Sequence, residues 1–201
     1  MDLLIRSNGR RSVMEIVGTM TRAKPVTIVA GHLFLGVRFK PGMAAAVLPT
    51  AREVATDCIV SLRSNQLQAL TSRPLTVGTV AECIGMLEDS LTVDIDASPA
   101  QDAINTLVES HGNTCLDELQ DLAHLGERQF RRCCIRRTGV PPKVLAKILR
   151  FKKVWRELQT ANPSALTGLA VEAGFFDQAH MNRDFKELSG LTPTDFRTSQ
   201  R

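Results

Sequence analysis

Two short amphipathic segments that meet at a glycine near the C-terminus constrain the fold of this chain more than any other feature. Apolar residues recur at helical spacing on both sides of the glycine. They are Leu166, Leu169, Ala170 and Ala173 before it, and Met181, Phe185 and Leu188 after it. Gly174 ends the first helix, because glycine adopts the left-handed conformation at little steric cost, and Asp177 can cap the second helix. A tight glycine turn between two short helices predicts a helix-turn-helix, whose second helix enters the major groove of DNA.

The other faces of the second helix carry residues that suit contact with base edges. The residues predicted to read bases are Gln178, Ala179, Asn182 and Arg183, and Lys186 also lies outside the buried stripe. Asparagine and glutamine form paired hydrogen bonds with adenine, and arginine forms them with guanine. The same periodicity also fits an ordinary amphipathic helix with a solvated polar face, so the spacing alone leaves both interpretations open.

The segment from Gly174 to Phe185, with its continuation to Arg197, resembles the AraC/XylS family of transcription regulators. The family pattern is Gly-Phe-x-Asp-Gln-Ser-His-Phe-x-Arg-x-Phe, followed by Gly-x-Thr-Pro and Tyr-Arg. This chain follows it densely, and the positions that differ from the family's Ser, Phe and Tyr are Ala179, Met181 and Phe196. The resemblance implies double-stranded DNA as the partner and a domain of two helix-turn-helix units joined by a long helix.

A weaker version of the pattern lies upstream, where the resemblance implies the first unit. Its first helix is indicated by Leu116, Leu119, Leu122 and Ala123. The helix after Gly126 would bury Phe130, Cys133 and Cys134. Its groove-facing residues would be Arg128, Arg131 and Arg132. Pro142 fits the first position of a connecting helix over about 142–160, because its missing N–H is harmless there.

The first unit departs from the family at three positions. Gln120 stands where a small alanine is usual at the helix crossing, and His124 replaces the usual turn glycine. A residue other than glycine is strained there if the backbone is left-handed. Gly126 replaces the usual Ser or Thr cap, although glycine is a tolerable cap. These departures predict a first unit that is less rigid or less selective than the second.

Positive charge is concentrated in the same half of the chain. Residues 128–156 contain 11 Lys or Arg and no Asp or Glu, and residues 111–201 contain 15 basic and 10 acidic residues, whereas residues 1–110 contain 10 and 11. Such a basic stripe neutralises phosphates and releases counterions, although many charge runs are only solvated faces. The residues predicted to contact phosphates are Arg136, Lys143, Lys147, Lys186 and Arg197.

The N-terminal half has β-rich character, so the chain as a whole is predicted to be α+β. Short runs rich in β-branched or aromatic residues predict strands at 3–5, 14–17, 26–29 and 33–39. Helices are predicted from residue 43 onwards and at 51–61, 76–89 and 100–110, the last beginning at Ser98-Pro99. We divide the chain into a partial β-barrel region at 1–49, a helical linker and possible dimerisation region at 50–110, and a DNA-binding domain at 111–201.

Residues 31–42 resemble the end of the small β-barrel sensor domain found in one branch of the family, where Gly-Val-Arg-Phe-x-Pro-Gly leads into a helical linker. In that branch several strands precede the segment at residues 2–5, so the resemblance implies a barrel that is truncated or completed in another way. Open sheet edges invite pairing with another chain. A homodimer through this half is therefore one hypothesis.

The sequence carries no sign of catalysis, of a metal site or of a bound cofactor. His32 is the one histidine in the predicted strand region, and no Ser-His-Asp set or phosphate-binding glycine loop is recognisable. Cysteines number five, at 58, 83, 115, 133 and 134, and no Cys-x-x-Cys pair occurs. We find no long apolar stretch and no signal-peptide pattern, which predicts a cytoplasmic, nucleoid-associated bacterial protein.

Three interpretations remain open at this point. The first is a sequence-specific transcription regulator that responds to an effector of unknown identity. The second is a small β-barrel ligand-binding protein or enzyme with a DNA-binding appendage, which would require converging metal ligands or a ligand pocket in the N-terminal half. The third is a truncated regulator that binds DNA without an effector response.

Overall fold

The computed structural model describes residues 1–44, 56–62, 80–82, 84–85, 98–160 and 166–199. The chain divides into two compact units, which are described separately. The N-terminal unit comprises Met1–Met20 and Pro25–Asp96, and the C-terminal unit comprises Thr21–Lys24 and Ala97–Arg201. The described parts confirm an α+β protein, with a β-sheet in the first unit and helices in the second.

The N-terminal unit contains a small antiparallel sheet in the order β3-β1-β2-β4. Its strands are β1 (Asp2–Ser7), β2 (Ser12–Val17), β3 (Leu33–Arg38) and β4 (Ile59–Ser61). Side chains alternate across the sheet, so Leu3 and Ile5 of β1 and Met14 and Ile16 of β2 share one buried face. The predictions of strands at 3–5, 14–17 and 33–39 are confirmed.

The prediction of a strand at 26–29 is wrong. This segment is irregular and joins β2 to β3, with Val26, Ile28 and Val29 all exposed. β-Branched residues favour an extended backbone, but a strand also needs a neighbour to complete its ladder. Residues 26–29 pair with no strand of the described sheet, so their β-branched side chains alone do not make them a strand.

The end of the helix predicted at 51–61 is also wrong. Residues 56–57 form a turn, in which Asp57 has a φ of 59°, and β4 then pairs with Glu15–Val17 of β2. Ladder pairing with β2 favours the extended state of Ile59 and Val60, because β-branched side chains suit a pleated surface. Residues 51–55 lie outside the described part of the chain, as does most of the helix predicted at 76–89, of which 80–82 and 84–85 are helical.

Apart from the irregular Thr21–Lys24 and the connecting loops, the described part of the C-terminal unit is helical. Its helices are α1 (Pro99–Glu109), α2 (Leu116–Ala123), α3 (Glu127–Thr138), α4 (Pro142–Thr160), α5 (Leu166–Glu172), α6 (Gln178–Ser189) and α7 (Pro193–Ser199). The helix predicted at 100–110 is confirmed as α1, with Ser98 as its cap and Pro99 in its first turn. None of the described helices is long and apolar enough to cross a membrane.

Two apolar clusters hold the C-terminal unit together. The first lies between α1, α2 and α3, and Ile104, Leu119 and Cys134 are fully buried in it. The second surrounds α5 and α6, with Met181 and Phe185 among its buried members. Because α1 is part of the first cluster, it packs with the helix-turn-helix units, although the predicted division assigns 100–110 to the linker. The three-part division itself stays a prediction.

Helix α4 is the predicted connecting helix, and it contributes to both clusters. Its first half buries Leu145 and Leu149 in the first cluster, and its second half buries Val154 and Leu158 in the second. In the second half of α4, Trp155 stacks on Phe185 at a centroid distance of 6.0 Å and approaches Phe196 of α7 at 4.1 Å. One continuous helix therefore fixes the distance between the pair α2–α3 and the pair α5–α6.

Candidate nucleic-acid interface

The second helix-turn-helix unit consists of α5, a turn at 173–177 and α6. Gly174 in the turn has a φ of +83°, the left-handed conformation predicted for it. Asp177 caps α6, with its carboxylate Oδ1 accepting from the His180 N–H at 2.6 Å. The buried stripe of α6 is Met181, Phe185 and Leu188, as predicted, and it also includes Asp184.

The predicted base-reading residues of α6 differ in their exposure. Ala179 and Arg183 are exposed, whereas Gln178 and Asn182 are half-buried. The Thr167 hydroxyl of α5 donates to Gln178 Oε1 at 2.8 Å, which fixes the direction of that carboxamide. Asn182 Oδ1 is buried without a hydrogen-bond partner among the described residues. Asn182 must therefore change rotamer before it can offer both its oxygen and its nitrogen to a base.

The first helix-turn-helix unit consists of α2, a turn at 124–126 and α3. Phe130, Cys133 and Cys134 form its predicted buried stripe, and Arg128, Arg131 and Arg132 are exposed. The three arginines lie in the first half of α3, the half that reads bases in this motif. All three predicted base-reading side chains are therefore free to meet DNA.

The departures that distinguish the first unit have structural counterparts. His124 closes α2 with a φ of 53° and a ψ of 38°, the left-handed conformation in which a side chain is strained. Gly126 precedes α3 and provides no side-chain cap, whereas Asp177 provides one at the equivalent position of α6. The first recognition helix thus starts with less local stabilisation than the second, by roughly a few tenths of a kcal/mol, because glycine is a tolerable cap.

Polar contacts across the C-terminal unit join its two halves. Lys147 Nζ of α4 lies 2.6 Å from Glu187 Oε2 and 3.4 Å from Asp184 Oδ1, both on α6. Arg150 Nη1 donates to the Gly112 carbonyl at 3.0 Å, and its guanidinium lies 5.4 Å from the centre of the Phe175 ring. Partial burial lowers the pKa of Arg150 from its ordinary value.

The loop between α1 and α2 directly contacts the turn of the second helix-turn-helix unit. A Cβ atom added to Gly174 would collide with the side-chain amide of Asn113, 2.5 Å from its Cγ. Gly174 is therefore required twice, once by its positive φ and once by the close approach of Asn113. The sequence pattern indicates the first requirement, but nothing local in it indicates the second.

The predicted phosphate contacts fall into two groups. Arg136, Lys143 and Lys186 are exposed, and Arg197 is half-buried. The Lys147 side chain is 19% exposed and lies against two carboxylates, which favours a role in joining α4 to α6 over the predicted phosphate contact. Sequence reasoning missed this pairing because residues 147 and 187 are far apart in the chain.

Helix α7 begins with a reciprocal cap between Thr192 and Asp195. Thr192 Oγ1 donates to Asp195 Oδ2 at 2.7 Å, and the Asp195 N–H donates to Thr192 Oγ1 at 3.2 Å. The hydrogen bond from the Thr192 hydroxyl lowers the pKa of Asp195 below its ordinary value. This cap orients the helix that covers Trp155 through Phe196.

Metal-ligating side chains and cysteine thiols bear on chemistry other than DNA binding. Across the described residues no three His, Cys, Asp or Glu side chains are arranged to hold a metal ion. Burial raises the pKa of the Cys134 thiol to about 11, so Cys134 is a packing residue. In the N-terminal unit, Arg38 pairs with Asp2 across β3 and β1 at 3.0 Å, and this hydrogen bond raises the pKa of Arg38.

Comparison with known proteins agrees with this arrangement. Residues 119–199 match a family described as a helix-turn-helix domain. ToxT from Vibrio cholerae shares 12% identity with this chain, over 98% of this chain and 89% of that one, with a TM-score of 0.50. ToxT bound to (E)-4-(8-methylnaphthalen-1-yl)but-3-enoic acid shares 12% identity, over 100% and 87%, with a TM-score of 0.50.

A shorter match covers the C-terminal half. The DNA-binding domain of AdpA, a global transcriptional factor in complex with a target DNA, shares 22% identity over 52% of this chain and 95% of that one, with a TM-score of 0.49. Among curated proteins, none matches the chain in sequence.

Proposed function

We propose that this chain is an AraC-type transcription regulator whose residues 119–199 form a helix-turn-helix domain for sequence-specific DNA binding. In this proposal, α3 and α6 read two adjacent segments of the major groove. The observation that carries the proposal is that each of these helices follows a tight left-handed turn and exposes arginine in its N-terminal half. That half of the second helix reads base edges in this motif.

Each recognition helix would read one half of the site. In α6 the base-reading residues are Gln178, Ala179, Asn182 and Arg183. In α3 they are Arg128, Arg131 and Arg132, whose side chains favour guanine. Helix α4 is shared by both apolar clusters, which supports a fixed distance between the two half-sites.

Contacts with the DNA backbone would come from Arg136, Lys143, Lys186 and Arg197. Such contacts orient the protein and release counterions without reading sequence. We assign Lys147 a structural role instead, because two carboxylates already neutralise its charge. The missing side-chain cap and the left-handed His124 support a first unit that selects its half-site less strictly than the second.

Selection of binding sites from a random duplex pool tests this proposal. We expect a bipartite motif spanning about two helical turns of DNA, since each recognition helix occupies one major-groove segment. A motif with a single half-site would mean that only one unit reads sequence. Salt-sensitive binding without any enriched motif would contradict sequence-specific reading by either helix.

The variant Arg183→Ala gives a second test on the selected site. We expect it to weaken specific binding by roughly 1–3 kcal/mol and to leave binding to random duplex nearly unchanged. Lys143→Ala is the matched control, because an exposed lysine that contacts a phosphate affects both duplexes alike. Equal losses on both duplexes for Arg183→Ala would show that Arg183 contacts only the backbone.

For the N-terminal unit we propose a role in assembly and sensing. The described sheet ends in β3 on one side and β4 on the other, and Ile59 and Val60 of β4 are exposed. An exposed β-edge favours pairing with a second copy. A monomeric mass by light scattering at micromolar concentration would contradict a homodimer.

The ligand-bound ToxT structure supports a search for a small-molecule effector of this unit. We further propose a non-enzymatic, cytoplasmic protein that associates with the nucleoid through DNA.

A further inference from the structure

Phe176 is the most exposed large apolar residue among the described ones, with 90% of its surface open to solvent. It lies in the turn of the second helix-turn-helix unit, immediately before the cap Asp177. Its neighbours in the turn, Gly174 and Asp177, are exposed and carry no apolar side chain. The other apolar residues of the turn, Ala173 and Phe175, are buried, whereas the Phe176 ring stays open to solvent.

The fold gives no reason for an apolar residue at this position. An apolar residue just before a helix cap commonly packs on the fourth residue of the helix, which here is Met181. Here Phe175 is the residue buried with Met181, since it is 5% exposed and belongs to the same apolar cluster. The Phe175 ring also meets His180 edge-on at 5.3 Å. Phe176 therefore takes no part in the buried packing of α6.

The position of the ring indicates what it contacts. It adjoins the N-terminal end of α6, which carries the exposed Ala179 and Arg183 and would enter the major groove. In that groove thymine alone presents a methyl group, and phenylalanine is among the side chains that contact it. A single ring suits a single methyl group, whereas a protein partner needs a broader apolar patch.

We propose that Phe176 is a specificity-determining residue that contacts the 5-methyl group of one thymine in the half-site bound by α6. This inference rests on the proposed docking of α6 in the major groove. Burial of one methyl group against the ring corresponds to about a fourfold gain in affinity for thymine over uracil.

Replacement of each thymine of that half-site by deoxyuridine, one at a time, tests the contact. Deoxyuridine lacks only the methyl group, so base pairing is unchanged. With the purified full chain we expect one such duplex to bind about fourfold more weakly than the parent duplex. Phe176→Ala should bind the parent duplex more weakly by a similar factor and should not distinguish the two duplexes.

Val171→Ala is the matched control, because Val171 is 65% exposed on α5 and is not assigned to the groove. It should keep the full response to the missing methyl group. If Phe176→Ala responds to deoxyuridine as the parent protein does, or if the half-site contains no thymine, the inference is overturned while sequence-specific binding stands. If the parent protein selects no site at all, the proposed function fails as well. Unchanged melting temperatures would show that both variants are folded.

Discussion

Replacement of Gly174 by alanine tests how the loop after α1 is joined to the second helix-turn-helix unit. The change adds a single Cβ atom at a φ of +83°, and that atom meets the Asn113 side chain. Two separate penalties should therefore act on one substitution. The first is backbone strain, and the second is displacement of Asn113 from its position.

The structure allows each penalty to be given a magnitude. A left-handed conformation costs a residue other than glycine about 1–2 kcal/mol. Movement of Asn113 away from its rotamer adds about 0.5–1.5 kcal/mol, because Asn113 is exposed and can turn aside. We expect Gly174→Ala to lower the free energy of unfolding by about 1.5–3.5 kcal/mol, which for a chain of 201 residues lowers the melting temperature by roughly 3–14 °C.

Fluorescence provides an assay that reports on the right part of the molecule. The chain contains 1 Trp and 0 Tyr. Trp155 lies against Phe185 and Phe196 in the cluster of the second unit. Urea unfolding of the full chain, followed by tryptophan fluorescence, therefore measures loss of the packing that Gly174 supports.

Gly190 gives a matched control, because it has a φ of +80° and open space where a Cβ would be placed. Gly190→Ala should show the backbone penalty alone. The variant Asn113→Ala, combined with Gly174→Ala, should recover the part of the loss that is due to the collision. Equal losses at Gly174 and Gly190, with no recovery on removal of the Asn113 side chain, would refute the reasoning.

Three further predictions follow from the same unit. His124→Gly should raise the free energy of unfolding by about 0.5–1 kcal/mol in calorimetry, because release of left-handed strain exceeds the entropy cost of glycine; a loss would contradict the strain. Lys147→Met should lower the free energy of unfolding by about 1–3 kcal/mol, because the buried Asp184 carboxylate would keep, among the described residues, only His180 Nε2, at 3.4 Å, as a partner, and it should leave the salt dependence of DNA binding unchanged. Lys143→Met should leave the free energy of unfolding nearly unchanged and lower the slope of the salt dependence of DNA binding by about 1. Alkylation at pH 8 should modify the exposed Cys115 and spare Cys134, because a thiol with a pKa of about 11 is almost fully protonated below that pH; equal rates would contradict its burial.

The C-terminal helices were predictable because their signals are local. Asp177 caps a helix three residues before the N–H that it accepts from, and the buried stripe of α6 repeats every three or four residues. Pro142 marks the first residue of α4 for the same reason, since its ring and missing N–H affect only the adjacent turn. Such features require no knowledge of the rest of the chain.

The N-terminal strands show where local signals fail. Residues 26–29 and residues 59–60 are similarly β-branched, yet only the second pair forms a strand. The difference is that Ile59 and Val60 pair with β2, whereas residues 26–29 pair with no strand of the described sheet. Which segment obtains an edge depends on the arrangement of the whole sheet.

The sequence by itself determined the two helix-turn-helix units, the helix that joins them and the basic character of their surface. Only the tertiary structure decided which side chains are held and which are free. It turned the Asn182 oxygen inward, paired Lys147 with α6, placed Asn113 against Gly174 and left Phe176 in solvent. The physical reason is that caps and stripes act within a few residues, whereas ion pairs and close contacts join residues whose separation in the chain is tens of positions.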